Sequence, residues 1–373
     1  MISFRLPGGV SYGILLKGYQ FDSNLISSCY GFVYRTIAFR KYHKNTQRTP
    51  PKDIRRYHLN LLFHRFSVYT RDNMSKISFK TVGIICKDSI GKDVSRLELV
   101  IKKMEKLGAK VLIDERGGNA LKMEKTYSQE EICKKSSLII SLGGDGTLLR
   151  TARALSPKKS PPVLSVNIGR LGFLTEATLE NFDEKLKLIR AGKFKIDTRS
   201  MLAISLKRRG TTTVMTEDCN LLALNDVVIN QGSFARLIKM SIKINDLEAA
   251  LFKADGLIIA SPTGSTGHSL SAGGPIVHPK VDGIVITPIC PVLLSMRSII
   301  IPDKRTIHIK IETERKEQQT KIGLTIDGQQ TYDLDFEDEI SITRAPQQLN
   351  LIRTEGRNYY KTLNEKLGWG REK

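Results

Sequence analysis

Apolar positions along this chain follow two different rhythms, and the change between them falls near residue 195. From Thr81 to Cys86 the run TVGIIC is continuously apolar and short, the pattern of a strand buried on both faces. Val94, Leu97, Ile101, Met104 and Leu107 then recur at three and four residues and predict an amphipathic helix, with Gly108 as its stop. Strands follow at 110–114 and 138–142, with a helical piece at 130–135 between them. A helix at 147–155 leads to a strand at 163–168. Strands alternating with helices predict a parallel sheet covered by helices on both faces. Beyond 195 the rhythm is two. Ile238, Met240, Ile242 and Ile244 alternate with Lys239, Ser241, Lys243 and Asn245, and Ile307, Ile309, Ile311, Ile340 and Ile342 repeat the pattern. That predicts antiparallel β structure in a sandwich or a related layered form. The tail, 358–369, reads as helix again.

Segment 1–73 shows neither rhythm. It holds 13 of the 25 aromatic residues and twelve basic against three acidic side chains. Met74, followed by SKISFKTVGIIC, reads as an ordinary protein start leading into the first strand. The segment is therefore expected to be a basic, aromatic-rich, poorly ordered extension, with a targeting role as the alternative. On that reading the chain is cytoplasmic, or organellar if the extension is a targeting segment. The whole chain, 373 residues with a formal charge of +21, is large enough for two domains with substantial cores. The surplus charge attracts anions without choosing among them, and no nucleic-acid reader motif accompanies it, so nucleic acid is not an expected partner. No apolar run is long enough to span a bilayer, and no membrane partner is expected. The five cysteines are scattered, with no Cys-x-x-Cys and no Cys/His cluster. This excludes a structural zinc site or a disulfide scaffold as the organising feature. No residue is singled out as a metal ligand.

Three segments carry chemistry. The first is Gly143-Gly144-Asp145-Gly146-Thr147, between an apolar strand and a helix. Glycines there let backbone approach a ligand, and the free N–H groups of the helix start favour phosphate. A carboxylate in such a turn repels phosphate, so Asp145 suggests another role, either accepting a proton from an attacking hydroxyl or holding a metal ion. A tight turn with a cap residue is the plainer alternative. The second is DGLIIASPTGSTGHSLSAGGPIVHP, 255–279, in which Ser261, Thr263, Ser265, Thr266, Ser269 and Ser271 alternate with glycines. Small hydroxyls and exposed N–H groups predict a polar cradle for phosphates and ribose. The third is Asn225-Asp226 inside LALNDVVIN, a polar pair that is costly to bury without partners. A turn or strand end is the ordinary alternative.

With these residues in place, the chain from about Lys80 to Gly370 resembles the NAD kinases. The pieces, in order, are LGGDGTLL (142–149), NIGRLGFLTE (167–176), LNDVVIN (224–230), ADGLIIASPTGSTGHSLSAGGPIVHP (254–279), IDGQ (326–329) and LNEKLGWG (363–370). GGDGT alone is shared with diacylglycerol and sphingosine kinases, so a lipid kinase is the alternative, against which the long 255–279 stretch stands. The resemblance implies an α/β fold, with a Rossmann-like nucleotide-binding domain (74–194, completed by 348–373) and a β-sandwich-like domain (195–347). The C-terminal helix would return to the first domain. It implies transfer of the γ-phosphoryl of ATP, or of polyphosphate, to the adenosine ribose 2′-hydroxyl of NAD. A divalent metal, Mg²⁺, would accompany the donor, and the protein would be a homo-oligomer, a dimer or tetramer. Asp145 would be the general base, flanked by Gly144, Gly146 and Thr147. Phe173 would line the adenosine pocket, Asn225 would meet adenine, and Asp226 the ribose hydroxyls. Asp255 would contact the nicotinamide end, and Thr263 and Thr266 the adenine region. Gly267 and His268 stand where the family most often has Ala-Tyr. His268 is smaller than tyrosine and can protonate near neutral pH. Val292 stands where many relatives have His.

Overall fold

The computed structural model describes residues 2–5, 11–14 and 77–370, except 170–171, 212–213, 216–220, 232–236, 313–321 and 357. Met1–Asn73 and Met74–Lys373 are two separate units. In the first, Ile2–Arg5 pairs antiparallel with Ser11–Ile14. The rest of the expected extension lies outside the described residues.

The second unit opens with β1 (Thr81–Cys86), α1 (Val94–Lys106), β2 (Lys110–Ile113), α2 (Glu115–Ala120), α3 (Gln129–Lys135), β3 (Leu138–Leu142), α4 (Asp145–Arg153), β4 (Val163–Asn167) and α5 (Phe182–Arg190). The strands pair in parallel in the order β2-β1-β3-β4. Every residue of β3 and β4 is buried, as their unbroken apolar runs require. Leu97, Val100 and Met104 of α1 point into the core at helical spacing. Helix α2 is not legible in the sequence, because ERGGNA carries two glycines, which weaken a helix. Here the glycines are needed: a Cβ on Gly117 would meet Ile113 and the Cys86 sulfur at 2.7 and 2.8 Å. Buried Asp114 caps this helix by accepting from Gly117 N (3.0 Å) and also accepts from Cys86 N (3.2 Å).

The β-rich part contains β5 (Phe194–Lys207), β6 (Asp226–Gln231), β7 (Ile238–Ile244), β8 (Leu247–Ala254), β9 (Gly256–Ala260), a one-turn helix α6 (His268–Ser271), β10 (Gly283–Ile289), β11 (Ile299–Pro302), β12 (Ile307–Ile311), β13 (Ile322–Ile326), β14 (Gln330–Leu334) and β15 (Glu339–Thr354), and α7 (Tyr359–Leu367) ends the chain. Six strands form one antiparallel sheet, β11-β10-β9-β6-β13-β14. Facing it are β7, β8 and β12, with β5 and the first half of β15. The alternating isoleucines do what their period implies. Ile238, Met240, Ile242, Ile307, Ile309, Ile311, Ile340 and Ile342 share one buried cluster with Val227, Ile229, Leu257, Ile259, Ile284, Ile286, Leu324 and Ile326 of the opposite sheet.

The α/β half and the β-rich half are joined through one strand. Strand β15 pairs with β12 at its start, with β5 along its length and, through Leu351 opposite Val163, in parallel with β4 toward its end. One sheet therefore runs from β8 through β15 into the parallel sheet. The register with β5 shifts between Arg344 and Gln348. Helix α7 starts at Asn358, whose side chain accepts from Lys361 N (2.7 Å), and stops at Gly368, where φ is +68°. Its first residue, Tyr359, packs edge-on against His278 and donates to the Val277 carbonyl (3.3 Å).

Candidate functional site

Helix α4 begins at Asp145, on the turn that follows β3. The carboxylate does not point into open solvent. Oδ2 accepts from Phe173 N (2.9 Å) and Oδ1 from Leu174 N (3.1 Å). This fixes the side chain while leaving each oxygen a free lone pair for a further proton donor. The grip requires glycine at 172, where a Cβ would sit 2.3 Å from Asp145 Oδ1. Phe173 thus has two parts to play: its N–H holds Asp145, and its half-buried ring packs against the core behind α4. Thr147 is buried beneath the turn, and a Cβ on Gly143 would lie 2.2 Å from its hydroxyl. Its hydroxyl is part of the turn's packing. Gly144 is the N-cap residue, and Gly146 is exposed.

Asn225 and Asp226 form the turn that enters β6. The stretch after β9 folds back onto that turn: Ser261 N donates to Asn225 O (2.8 Å), and a Cβ on Gly264 would lie 2.1 Å from the same carbonyl. The backbone N–H of His268 donates to the Asp226 carboxyl. Asn225, Asp226, Gly267 and His268 are thereby neighbours, with His268 exposed and Asn225, Thr266 and Gly267 half-buried. The expected hydroxyl cradle is only partly one. Ser261, Ser265 and Ser269 are fully buried and bond inward: Ser261 to Leu224 O, Ser265 to Pro262 O and Val277 O, Ser269 to Thr287. Of the six hydroxyl side chains, Thr266 is half-buried and Ser271 exposed. Thr263 is also buried, its hydroxyl 3.4 Å from Arg199.

Asp255 stands apart. It is exposed at the start of β9, and the five residues of that strand separate it from Ser261. At about 3.3 Å per residue the six steps span roughly 20 Å within one chain. It lies instead beside the Val292–Leu294 loop, where Val292 N bonds to Lys253 O (3.0 Å) and Val292 itself is exposed.

Sequence reasoning assigned no role to Asp327, Arg153 or Gln329, yet these join the two turns. Asp327 and Gly328, both at positive φ, make the hairpin between β13 and β14. The Asp327 carboxylate, wholly buried, accepts from the N–H groups of Leu224 (3.0 Å), Asn225 (2.8 Å) and Asp226 (3.2 Å). Arg153, at the end of α4, donates to it from the other side (3.2 Å) and also donates to Gln329 Oε1. Gln329 Nε2 in turn donates to the Gly146 carbonyl (2.9 Å). The Asp145 turn and the Asn225-Asp226 turn are thus tied to one hairpin.

Burial pushes both Asp226 and Asp327 up from the ordinary carboxylate value. Four donors favour the charged form of Asp327, so the proton settles on Asp226. That group is pushed up to about 7 by burial first and by the Asp327 charge second. A second buried network backs the site. Asp197 receives Arg199 (2.6 Å) and Arg353 (3.3 Å), and Arg353 also donates to Leu174 O (3.1 Å) and Glu176 (3.3 Å). It links the peptide that holds Asp145 to the residue that touches Thr263.

Among the described residues, no three His, Cys, Asp or Glu side chains converge as a metal cage. Magnesium bound with a nucleotide needs only one or two carboxylates beside the phosphates, and the Asp145 turn fits that donor set. Among the described residues, no helix is long and apolar enough to cross a membrane.

Comparison with known proteins places the chain among relatives. The family model described as the ATP-NAD kinase N-terminal domain matches residues 37–194, and that of the ATP-NAD kinase C-terminal domain matches 224–354. The first match begins inside the segment expected to lie outside the resemblance. The NAD kinase of Geotalea daltonii is 36% identical over 291 residues, covering 78% of this chain and 99% of the relative. That of Geobacter sulfurreducens is 41% identical over 241 residues, 65% of this chain and 81% of the relative. Among solved structures, yeast NADH kinase complexed with NADH aligns with a TM-score of 0.72 at 26% identity, over 79% of this chain and 89% of that one. An Archaeoglobus fulgidus NAD kinase in complex with ATP shares the fold, with a TM-score of 0.57 at 24% identity over 77% and 97% of the two chains. A glycine turn presenting a tethered carboxylate, a second turn folded against the 261–268 loop, and family matches on both halves give one assignment: this chain belongs to the NAD kinase family.

Proposed function

We propose that this chain transfers the terminal phosphoryl group of ATP to the 2′-hydroxyl of the adenosine ribose of NAD, with Asp145 as the general base. The observation that carries the reading is the tethering of Asp145 by Phe173 N and Leu174 N on a turn linked, through Gln329 and Asp327, to the turn bearing Asn225 and Asp226. A secondary hydroxyl is a poor nucleophile at neutral pH, and a positioned carboxylate that takes its proton contributes typically about 10²–10⁴-fold. The remaining acceleration comes from in-line placement of donor and acceptor and from neutralising phosphate charge. Asn225 and Asp226 would orient the adenosine, with Thr266, Gly267 and His268 forming the accessible wall and Phe173 supporting it. Gly144 and Gly146 leave the backbone open to the reacting group, and Thr147 and Thr263 shape the turns from beneath. Mg²⁺ bound to the donor would supply further charge neutralisation. ATP is the donor named by both matching family models, and polyphosphate is the alternative donor.

Assembly into a homo-oligomer belongs to the same reading. The edge strand β11 exposes Ile299 and Ile300, and Val292, Leu293 and Leu294 are exposed as well; isolated apolar side chains are ordinary on a surface, but this many close in sequence suggest a contact face. Asp255, beside the 292–294 loop, would meet a second copy there rather than the dinucleotide of its own subunit.

Incubation with ATP, Mg²⁺ and NAD, followed by an NADP assay, tests the reaction. NADP should accumulate in proportion to ADP. ATP consumption without NADP would refute the reading, and parallel runs with NADH and polyphosphate would define acceptor and donor.

A further inference from the structure

In the order β2-β1-β3-β4, the chain leaves β1 toward one edge of the sheet and leaves β3 toward the other. The carboxyl ends of β1 and β3 therefore flank a topological switch point, where open α/β sheets form their ligand crevice. Two loops border it. One carries Lys87 and Asp88 after β1, and the other is Gly143-Gly144 after β3. They are laced together by Lys87 N donating to Leu142 O (2.9 Å), and a Cβ on Gly143 would come within 2.9 Å of the Lys87 Cβ.

Cations surround this mouth. Lys87 Nζ and Arg96 Nη1 are held by the two oxygens of Asp93, at 2.6 and 2.9 Å. Arg96 also reaches across to the Ile168 carbonyl beyond β4 (3.2 Å). Arg150, on α4, donates to Asp88 (2.8 Å) and to the Cys86 carbonyl, and Arg116 donates to Asp88. Four cations thus share two carboxylates at this mouth. None of these side chains is tied to the Asn225, Asp226 and His268 turn assigned to the acceptor.

We propose that Lys87 and Arg96 bind the polyphosphate chain of the donor, a nucleoside triphosphate or inorganic polyphosphate, in the crevice between β1 and β3. The inference rests on the kinase reading above and gives its donor a place. Asp93 holds both cations in position before the donor arrives, which limits the ordering needed on binding. Donor and acceptor then approach Asp145 from opposite halves of the molecule, as in-line transfer requires.

The test uses the full chain with Lys87→Met, Arg96→Met and Lys87→Arg, and Lys110→Met at the opposite end of the sheet as a charge control. Initial rates are measured with ATP-Mg²⁺ varied at saturating NAD, and with NAD varied at saturating ATP. Each Met variant at 87 and 96 should raise KM for ATP about tenfold or more, as loss of a charge-assisted phosphate contact does. KM for NAD should stay within about twofold, Lys87→Arg should recover most of the loss, and Lys110→Met should change neither constant. Calorimetric binding of tripolyphosphate to the wild-type protein without NAD should be weakened by the same two substitutions. A rise confined to KM for NAD would assign these cations to the acceptor's pyrophosphate and overturn the proposal, as would unchanged constants. If a Met variant does not fold, tripolyphosphate on the wild-type enzyme decides: competition with ATP but not with NAD supports the proposal, and competition with NAD overturns it. A wild-type protein that makes no NADP would refute the kinase reading instead, while tripolyphosphate binding lost in the variants would still support the crevice.

Discussion

A carboxyl group wrapped in protein and facing a second carboxylate holds its proton more tightly than the same group in an unfolded chain. For Asp226 the shift is from 3.8 to about 7. The native state then binds more protons than the unfolded state between those values, so this group's contribution is most favourable below about pH 4 and is lost as pH rises toward 7. Asp226→Asn removes that dependence. Thermal melts should show the variant gaining on the wild type as pH goes from 5 to 8, and a difference in melting temperature that ignores pH would refute the assignment. Asp145 makes a separate prediction. Asparagine retains one acceptor oxygen for the N–H groups of Phe173 and Leu174 but cannot act as a base. Asp145→Asn should lower kcat by about 10²–10⁴-fold with NAD affinity little changed, and a near-normal kcat would remove Asp145 from that role. Asp145 was legible because its glycines and neighbouring strand are local signals. Asp327 was not. Its donor Arg153 lies 174 residues away in sequence and the turn it braces about 100, and no pattern within a window connects them.

At the scale of elements, the Asn225-Asp226 turn and the 261–268 loop touch through backbone. Gly264 lies against the Asn225 carbonyl, where any Cβ would be 2.1 Å from the oxygen. Gly264→Ala must push the loop off the Asn225-Asp226 turn. Overpacking of this kind costs roughly 1–3 kcal/mol, so the denaturation midpoint should fall and KM for NAD should rise together. A variant with wild-type KM would show that the loop position does not set acceptor binding. The glycines of 255–279 were visible as a signal, but the inward turn of Ser261, Ser265 and Ser269 was not, because direction depends on the packing of β9, β10 and the segment around Val277. Helix α2 makes a similar point. Its glycines argue against a helix locally, yet the packed face against Ile113 and Cys86 admits nothing larger.

For the whole molecule, Met74–Lys373 forms one contact unit, in which β15 pairs with strands of both halves. A chain beginning at Met74 should therefore melt at the temperature of the full chain and turn over at the same rate. The N-terminal family match, which begins at 37, makes this a sharp comparison. Insolubility or lost activity of the shorter chain would place 37–73 within the working fold.

Periodicity alone determined that an α/β half precedes a β-rich half, and the glycine-bearing segments alone marked the turns proposed to meet a nucleotide. Both are local properties, written in the spacing of apolar side chains and in residues without a Cβ. Only the tertiary structure decided that Asp327 and Arg153 would unite the two turns, that Asp226 would hold its proton more tightly, and that Asp255 would stand at the far end of its strand. Those outcomes depend on which distant segments share a buried volume, because burial and through-space charge, rather than neighbours in sequence, set hydrogen-bond partners and proton affinity.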